Sequence, residues 1–266
     1  MAEEKAELEG MTTSFYENLY TAEGTQNMEE VLNTIPVKVT EAMCAVLTAP
    51  YTKDEVKAAL FQMFPIKSPG PDGFPAHFFQ RHWGICGDEV TKVVLSVVEG
   101  HESARSINDT LIVLIPKVKD PTLLTQFRPI SLCNVIYKIA SKVVANRLKV
   151  ILPNIISDEQ SAFVPGRLIT DNIIAAYECL HFMKRNKAKR NQHCALKLDM
   201  TKAYDRVEWD YLRAVLLKLG FLEGWVGIVM DMRSGSPFCS MVKSFKNSLL
   251  PVASVRVTPS PRICFC

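Results

Sequence analysis

The segment from residue 134 to residue 152 constrains the fold most, because its apolar residues recur at the spacing of one helix face. This periodicity predicts a long amphipathic helix whose apolar stripe must be buried against other elements. Lys138 and Lys142 lie four residues apart on the opposite side of the same helix. The predicted buried stripe consists of Ile136, Ile139, Ala140, Val143, Val144, Leu148 and Ile151.

Two further segments carry clear signals for secondary structure. Residues 52–64 predict a helix in which Thr52 and Glu55 have the spacing of a capping box. The segment "TLIVLIPK", residues 110–117, is β-branched and apolar and predicts a buried strand. The predicted inner face of the first helix contains Val56, Ala59, Leu60, Met63 and Phe64.

The second half of the chain mixes helices and strands without regular alternation. "SDEQ" at residues 157–160 predicts a helix start, residues 171–184 predict a helix, and "CALKLDM" from residue 194 predicts a strand. "EWDYLRAVLLKLG" predicts a helix closed by Gly220. The order favours an α+β fold over a doubly wound sheet. The predicted inward residues of the last helix are Trp209, Leu212, Leu216 and Leu219.

The segment "PIKSPGPDGFP", residues 65–75, cannot continue a helix or form a central strand, because prolines and glycines alternate along it. A structural turn explains this composition. A rigid loop lying against a ligand, beside Lys67, explains it equally well, and the two interpretations stay open.

Charge and cysteine usage restrict the class of protein. The net charge is only +3, but Asp120 is the sole acid between Lys117 and Lys149. Such a basic segment suits a polyanion or a solvated helix face. The cysteines show no zinc-ligand spacing, and Cys133 and Cys179 are interpreted as reduced core thiols. No signal peptide or membrane-spanning run is evident, so we expect an intracellular location in cytoplasm or nucleus.

Asp199 ends an apolar strand, within "ALKLDMTKAYDRVEW" at residues 195–209. A strand holds a carboxylate in a fixed place, and hard divalent cations such as Mg²⁺ prefer oxygen ligands. A single aspartate is also compatible with a capping or structural role, and Tyr204 with simple core packing. A catalytic pair of metal ions would need further carboxylates.

Five segments in fixed order are similar to the reverse transcriptase of non-LTR (LINE-type) retroelements, above all those abundant in land-plant genomes. The resemblance covers residues 15 to 237 approximately and implies an incomplete right-hand polymerase fold, α+β, with fingers and the first part of the palm. The segments are "KSPGPDGFPAHFF", "LIVLIPKVKDP", "FRPISLCNVIYKIASKVVANRL", "SDEQSAFVPGRLITDNI" and "ALKLDMTKAYDRVEW".

The resemblance implies a role for several residues. Asp199 becomes the first metal-binding, catalytic aspartate, and Tyr204 lies beneath the sugar of the incoming deoxynucleotide, whereas Asp205 points away from the metals. Lys117 and Arg128 contact the triphosphate, which suits an ammonium and a forked guanidinium. Template-binding residues are Gln160, Gly166 and Arg167, and Lys138 and Lys142 are compatible either with template phosphates or with a solvated face.

The family's remaining carboxylates are an adjacent pair of aspartates in a later palm hairpin, and the 266 residues contain no such pair. The family's preceding motif, close to "RQGDPLSPYLF", is replaced by "PVASVRVTPSPRICFC" at residues 251–266. A permitted coding string for this tail, regrouped from its third base, translates as "SRLRQGDPLSPYLFL". The hypothesis is a frameshift near residue 238, with an out-of-frame tail that is disordered or mispacked.

The expected organisation is a helical segment at 1–50, fingers at 51–190, the first part of the palm at 191–237 and the out-of-frame tail at 238–266. The expected function is RNA-directed DNA synthesis with an RNA template, a DNA primer, dNTPs and two Mg²⁺ ions. This truncated copy is expected to be inactive. The alternatives are a non-catalytic nucleic-acid-binding remnant and an unrelated metal-dependent phosphotransferase built around Asp199.

Overall fold

The computed structural model describes residues 27–162, 164–185, 194–196 and 207–232, with residues 11, 14, 15, 24, 263 and 264. Across these residues, no helix combines the length and apolar character needed to cross a membrane. Helices and strands are mixed, as the sequence predicts. The α-helices are α1 (Met28–Leu32), α2 (Glu41–Thr48), α3 (Lys53–Phe61), α4 (Ala76–Arg81), α5 (Trp83–Val98), α6 (Val135–Ile155), α7 (Ile169–Arg185), α8 (Trp209–Leu219) and α9 (Glu223–Asp231).

Helix α6 is the long amphipathic helix predicted at residues 134–152, and it forms the centre of the core. It continues to Ile155 and includes Pro153 in its last turn. Helices α2, α3 and α5 pack against it. The predicted stripe is confirmed, since all of its residues are buried except Ile136, which is partly buried.

Helix α3 confirms the predicted N-terminus and corrects the predicted C-terminus. The side chain of Thr52 accepts a hydrogen bond from the Glu55 N–H, and the Glu55 carboxylate accepts one from the Thr52 N–H, which completes the capping box. The helix ends at Phe61, so the extension to residue 64 was wrong, and Phe64 is exposed. The amide of Gln80 caps the end of α3 by donating to the carbonyls of Leu60 and Met63, at 3.0 Å each.

Arg147 links helices α2 and α3 to α6 through hydrogen bonds. Its guanidinium donates to both carboxylate oxygens of Glu55, at 2.7 and 2.9 Å, and its carbon lies 3.6 Å from the centroid of the Tyr51 ring. It also donates to three backbone carbonyls, of Leu47, Ala49 and Pro50. The fork geometry of arginine thereby satisfies a cation that is only 8% exposed.

Helices α8 and α9 pack against each other and contribute their buried residues to the core. The sequence prediction for α8 is confirmed for Leu212, Leu216 and Leu219, which are buried, and for Gly220, which ends the helix at φ 102°. Trp209, also predicted to face inward, is only partly buried. The carbonyl of Leu219 accepts from the N–H groups of Lys38 and Val39, at 3.0 and 2.9 Å. The end of α8 is thus held by a segment near the beginning of the chain.

Strands β1 (Thr110–Pro116) and β2 (Phe127–Cys133) form an antiparallel hairpin. The predicted strand at 110–117 exists, but its predicted burial is wrong, because most of β1 is exposed. Leu111, Val113 and Ile115 are exposed on one face of β1 and Ile112 is exposed on the other, so neither face is covered as a sheet interior would be. The β-branched pattern specified the strand, but it does not encode whether other elements cover the faces of that strand.

The predicted helix start at 157–160 is also wrong. Residues 158–159 form a turn in which the Gln160 N–H donates to the Ser157 carbonyl, at 3.2 Å, and the next helix, α7, begins only at Ile169. Helix α7 confirms the helix predicted at 171–184, yet it has no buried residue. Cys179 on α7 is only partly buried, whereas Cys133 at the end of β2 is buried, as predicted.

A short parallel pair joins β3 (Cys194–Ala195) to β4 (Ile263–Cys264). Residues 194–196 are the described part of the predicted strand "CALKLDM". The rest of that strand, and most of the predicted out-of-frame tail, lie outside the described residues.

Candidate nucleic-acid interface

The β1–β2 hairpin brings together the two cations predicted to contact a triphosphate. Ile115 lies opposite Arg128 in the register, and the Lys117 N–H extends the ladder by donating to the Gln126 carbonyl, at 2.8 Å. Opposite residues of an antiparallel pair project from the same face, as do residues two apart on one strand. Lys117 and Arg128 therefore project from the same face at the turn end of the hairpin.

The turn between the strands holds this end in place. Leu124–Gln126 form a short 3₁₀ helix, and the side-chain oxygen of Gln126 accepts from the N–H groups of Thr122 and Leu123, at 2.7 and 3.1 Å. The Lys117 ammonium donates to the Thr125 carbonyl, at 3.2 Å. Lys117 and Arg128 are both exposed, so an incoming anion can reach each of them without displacing the core.

The turn between α6 and α7 brings together the residues predicted to bind the template. The Arg167 guanidinium donates to the Gln160 carbonyl, at 2.8 Å, and lies 3.2 Å from the Asp158 carboxylate. Gly166 has φ 81°, a conformation that favours glycine, with open space where a Cβ would project. The amide of Gln160 donates to the Ala162 carbonyl, at 3.2 Å.

Arg167 has a structural function that the sequence did not reveal. Its guanidinium donates to the carbonyls of Pro153 and Ile156, at 3.4 and 3.3 Å, and to that of Ser157. These carbonyls lie at the C-terminal end of α6, where a cation is favoured by unpaired acceptors and the helix dipole. A template contact by Arg167 stays a prediction. It would need a guanidinium N–H that is not already donated to these carbonyls.

No hydrogen bond or ion pair joins the hairpin cations to the Gln160–Arg167 turn in the described part of the chain.

A third group, the loop at residues 65–75, lies across the start of α6. Gly70 is packed so closely against Asn134 that an added Cβ would lie 2.3 Å from the Asn134 Oδ1 atom. The same Oδ1 atom accepts from the Asp72 N–H, at 3.3 Å. The loop is therefore fixed in place, which both interpretations of its sequence require.

This loop also meets the basic face of α6. The Lys138 ammonium donates to the Ser68 carbonyl, at 3.3 Å. Burial lowers the pKa of Lys142, and the positive charges of Lys149 and Lys67 lower it further. The sequence identified Lys138, Lys142 and Lys67 separately, but periodicity within one helix cannot show that a loop 70 residues earlier lies beside it.

Asp199, Tyr204 and Asp205 lie outside the described residues. In the part of the chain that is described, no group of three or more His, Cys, Asp or Glu side chains is arranged to hold a metal ion. The described residues thus do not supply a Mg²⁺ site by themselves.

Comparisons with known proteins match this chain to one family and to proteins of mobile elements. Residues 115–254 match the model of the reverse transcriptase (RNA-dependent DNA polymerase) family. This range contains the hairpin cations, the Gln160–Arg167 turn and Asp199.

One relative is the transposon TX1 uncharacterized 149 kDa protein of Xenopus laevis, 36% identical over 221 residues that make up 82% of this chain and 17% of the relative. Another is the retrovirus-related Pol polyprotein from the type-1 retrotransposable element R2 of Bradysia coprophila. It is 26% identical over 170 residues, 62% of this chain and 18% of the relative. The chain therefore spans less than a fifth of either curated relative.

Proposed function

The chain belongs to the reverse transcriptase (RNA-dependent DNA polymerase) family, and from this premise we propose that it carries the fingers and first part of the palm of a non-LTR, LINE-type retroelement enzyme. The similarity to the TX1 and R2 proteins supports this assignment, because both relatives are named for mobile elements. We also propose the plant-type affiliation, on the five ordered sequence motifs, and an intracellular location.

The observation that carries the proposal is the placement of Lys117 and Arg128 on one face of an exposed hairpin within the matched range. A triphosphate presents oxygens to several directions at once. Arg128 offers a planar fork for two of them, and Lys117 adds a compact charge. Both groups would neutralise and orient the phosphates of the incoming dNTP, which is how residues of this kind assist phosphoryl transfer.

The other proposed roles follow the sequence motifs. Asp199 would contribute one carboxylate to a pair of Mg²⁺ ions, Tyr204 would lie against the sugar, and Gln160, Gly166 and Arg167 would border the template. When bound, the two metal ions would activate the attacking 3′-hydroxyl and stabilise the leaving pyrophosphate. The proposed partners are an RNA template, a DNA primer and dNTPs.

We propose further that the coding register slips near residue 238. The 266 residues contain no adjacent aspartate pair, and regrouped codons of the tail yield a family motif. The family match itself extends to residue 254, beyond the proposed slip, so an in-frame continuation is the competing explanation. The nucleotide sequence of the gene decides between them, since the slip requires the motif to appear in the alternate register.

Primer extension tests the polymerase proposal. The 266-residue chain, assayed alone on an RNA template with a DNA primer and Mg²⁺, is expected to show no extension above background. A version continued in the alternate register through the aspartate pair is expected to extend the primer. In that version Asp199→Asn should abolish extension and Asp205→Asn should retain it.

The competing proposal is a non-catalytic nucleic-acid-binding remnant. The basic loop and helix face favour it, because Lys67, Lys138 and Lys142 require no palm to attract a polyanion. Salt-dependent RNA binding by the 266-residue chain, combined with no extension by the continued version, would support the remnant. Extension by the 266-residue chain itself would contradict both the slip and the expected inactivity.

A further inference from the structure

A ladder of aromatic rings lies at the surface where the 65–75 loop enters α4. The ring centroids of Phe74 and Phe78 are 4.7 Å apart, and those of Phe78 and His82 are 5.1 Å apart. Phe74 is 45% exposed and Phe78 is 37% exposed. We call Phe74, Phe78 and His82 the ring ladder. Neither the triphosphate contacts nor the template turn proposed above uses it.

The ring ladder is held rigidly from below and from the side. Phe79 is buried, and its ring meets Phe78 edge-on with centroids 5.3 Å apart. Phe74 follows Asp72, whose carboxylate accepts from the Phe74 N–H at 3.0 Å, and Asp72 is itself tied to Asn134. Because these contacts fix the rings before any ligand arrives, binding would cost little conformational entropy.

The same loop carries positive charge on its other end. Lys67 is exposed, and beyond it lie Lys138, bonded to the Ser68 carbonyl, and Lys142. Asp72, two residues before Phe74, is bonded to Asn134, and Lys138 lies one helical turn after Asn134, so the rings and the lysines lie at the same end of α6. Asp72 is the acid on this stretch, and one of its oxygens is already engaged by the Phe74 N–H.

We propose that the ring ladder and the Lys67–Lys138–Lys142 group form one binding surface for single-stranded RNA. Unpaired bases would stack on Phe74 and Phe78, while the phosphates of neighbouring nucleotides would lie against the lysines. Exposed rings beside a cationic track are the combination that binds single strands without sequence preference. A duplex would not fit, since its bases are already stacked on each other. This inference rests on the proposed function, which makes RNA the relevant polyanion.

The first test separates bases from phosphates. Binding of the full 266-residue chain is measured by fluorescence anisotropy with a labelled U12 oligoribonucleotide and with an abasic sugar-phosphate strand of equal length. Phe78→Ala is expected to weaken U12 binding roughly ten-fold, because stacking contributes about 1–3 kcal/mol per base. Binding of the abasic strand should not change. Phe182→Ala, which removes another exposed phenyl ring on α7, is the matched control and should leave both affinities unchanged.

The second test addresses the lysines. Lys67→Gln combined with Lys142→Gln should weaken binding of both strands alike. It should also reduce the slope of log Kd against log salt by about 0.7 for each phosphate that the protein no longer neutralises. Phe78→Ala should leave that slope unchanged. Both sets of variants therefore weaken U12 binding, but only the lysine variants weaken binding of the abasic strand and reduce the salt slope.

Several results would overturn the proposal. They are failure of the wild-type chain to bind U12 at 50 mM salt, equal U12 affinity of wild type and Phe78→Ala, or equally weakened binding of both strands by Phe78→Ala. Equal affinities would mean that the Phe78 ring does not contribute to RNA binding. Should Phe78→Ala lower the melting temperature, Phe78→Trp decides, since it keeps a stacking ring and should retain U12 binding. Primer extension by the continued chain is independent of these outcomes, so the two proposals can fail separately.

Discussion

The helices packed around α6 and the elements that carry the candidate site differ in the exposure of their apolar side chains. In α6 the apolar stripe is almost entirely buried, and Arg147 joins three neighbouring segments to it. In β1 and α7, comparably apolar residues such as Ile115 and Ile173 remain exposed. An apolar pattern therefore specifies an element, whereas burial depends on whether a neighbour covers it.

The largest expected effect tests this difference directly. Leu148→Ala in α6 should lower the free energy of unfolding by about 3 kcal/mol, because it removes a side chain that is 1% exposed and leaves a cavity. Ile173→Ala in α7, at a side chain that is 63% exposed, should change it by less than about 0.5 kcal/mol. Urea denaturation measures both. A large destabilisation by Ile173→Ala would show that another segment covers α7.

The Arg147 contacts give the next largest effect. Arg147→Met should cost about 2–3 kcal/mol, because Glu55 and three carbonyls lose a charged donor while an apolar chain of similar length keeps part of the packing. Lys149→Met, on the exposed side of the same helix, is the matched control and should stay close to wild type. Equal urea midpoints for these two variants would show that the Arg147 contacts do not stabilise the fold.

Gly70→Ala should cost about 1–3 kcal/mol, since the new Cβ collides with Asn134 and the loop or the start of α6 must shift. Gly84→Ala, at a helical position with open space around it, should be neutral or stabilising by up to about 1 kcal/mol. Thermal unfolding compares the pair. If Gly70→Ala melted at the wild-type temperature, the close packing of Gly70 against Asn134 would be contradicted.

The smallest expected effect is a loss of folding stability at acidic pH. The hydrogen bond from Arg147 lowers the pKa of the Glu55 carboxyl below its ordinary range. A lowered folded-state pKa stabilises the protein above the unfolded-state pKa, and the contribution is lost as the pH falls through the folded-state value. Because the Glu55 side chain is 34% exposed, we expect about 1 kcal/mol or less.

Urea midpoints measured between pH 7 and pH 3 test this expectation. Glu55→Gln should be less stable than wild type at pH 7, and the difference should shrink below about pH 4.3. A difference independent of pH would mean that the carboxylate charge contributes nothing and that only packing changes.

The helices of the body could be predicted from sequence because their signals are local. The capping box of Thr52 and Glu55, the stripe of α6 and the Gly220 cap each lie within a few turns of chain. The errors arose where tertiary context decides. The β1 pattern predicted a sheet interior, but the described residues supply a single partner strand.

The candidate site shows the same division. Lys117 and Arg128 were identified from motifs, and the hairpin register shows that they project from one face. The internal bonds of Arg167 and the approach of the 65–75 loop to α6 depend on contacts between distant segments, which spacing in a sequence does not encode. The predictions for Asp199 and Tyr204 fall outside the described residues.

The bond between the Cys44 thiol and the Gly220 carbonyl spans 176 residues, beside the pair of bonds from Lys38 and Val39 to Leu219. On a ribosome adding about 5–20 residues per second, the early segment would wait roughly 9–35 s before its partner has been synthesised. During that interval Val39, whose side chain lies beside Gly220 in the folded protein, stays in contact with water. In a newly made chain the segment at residues 38–44 is thus accessible to chaperones until α8 has been synthesised, and ribosome stalling before α8 should lengthen that interval.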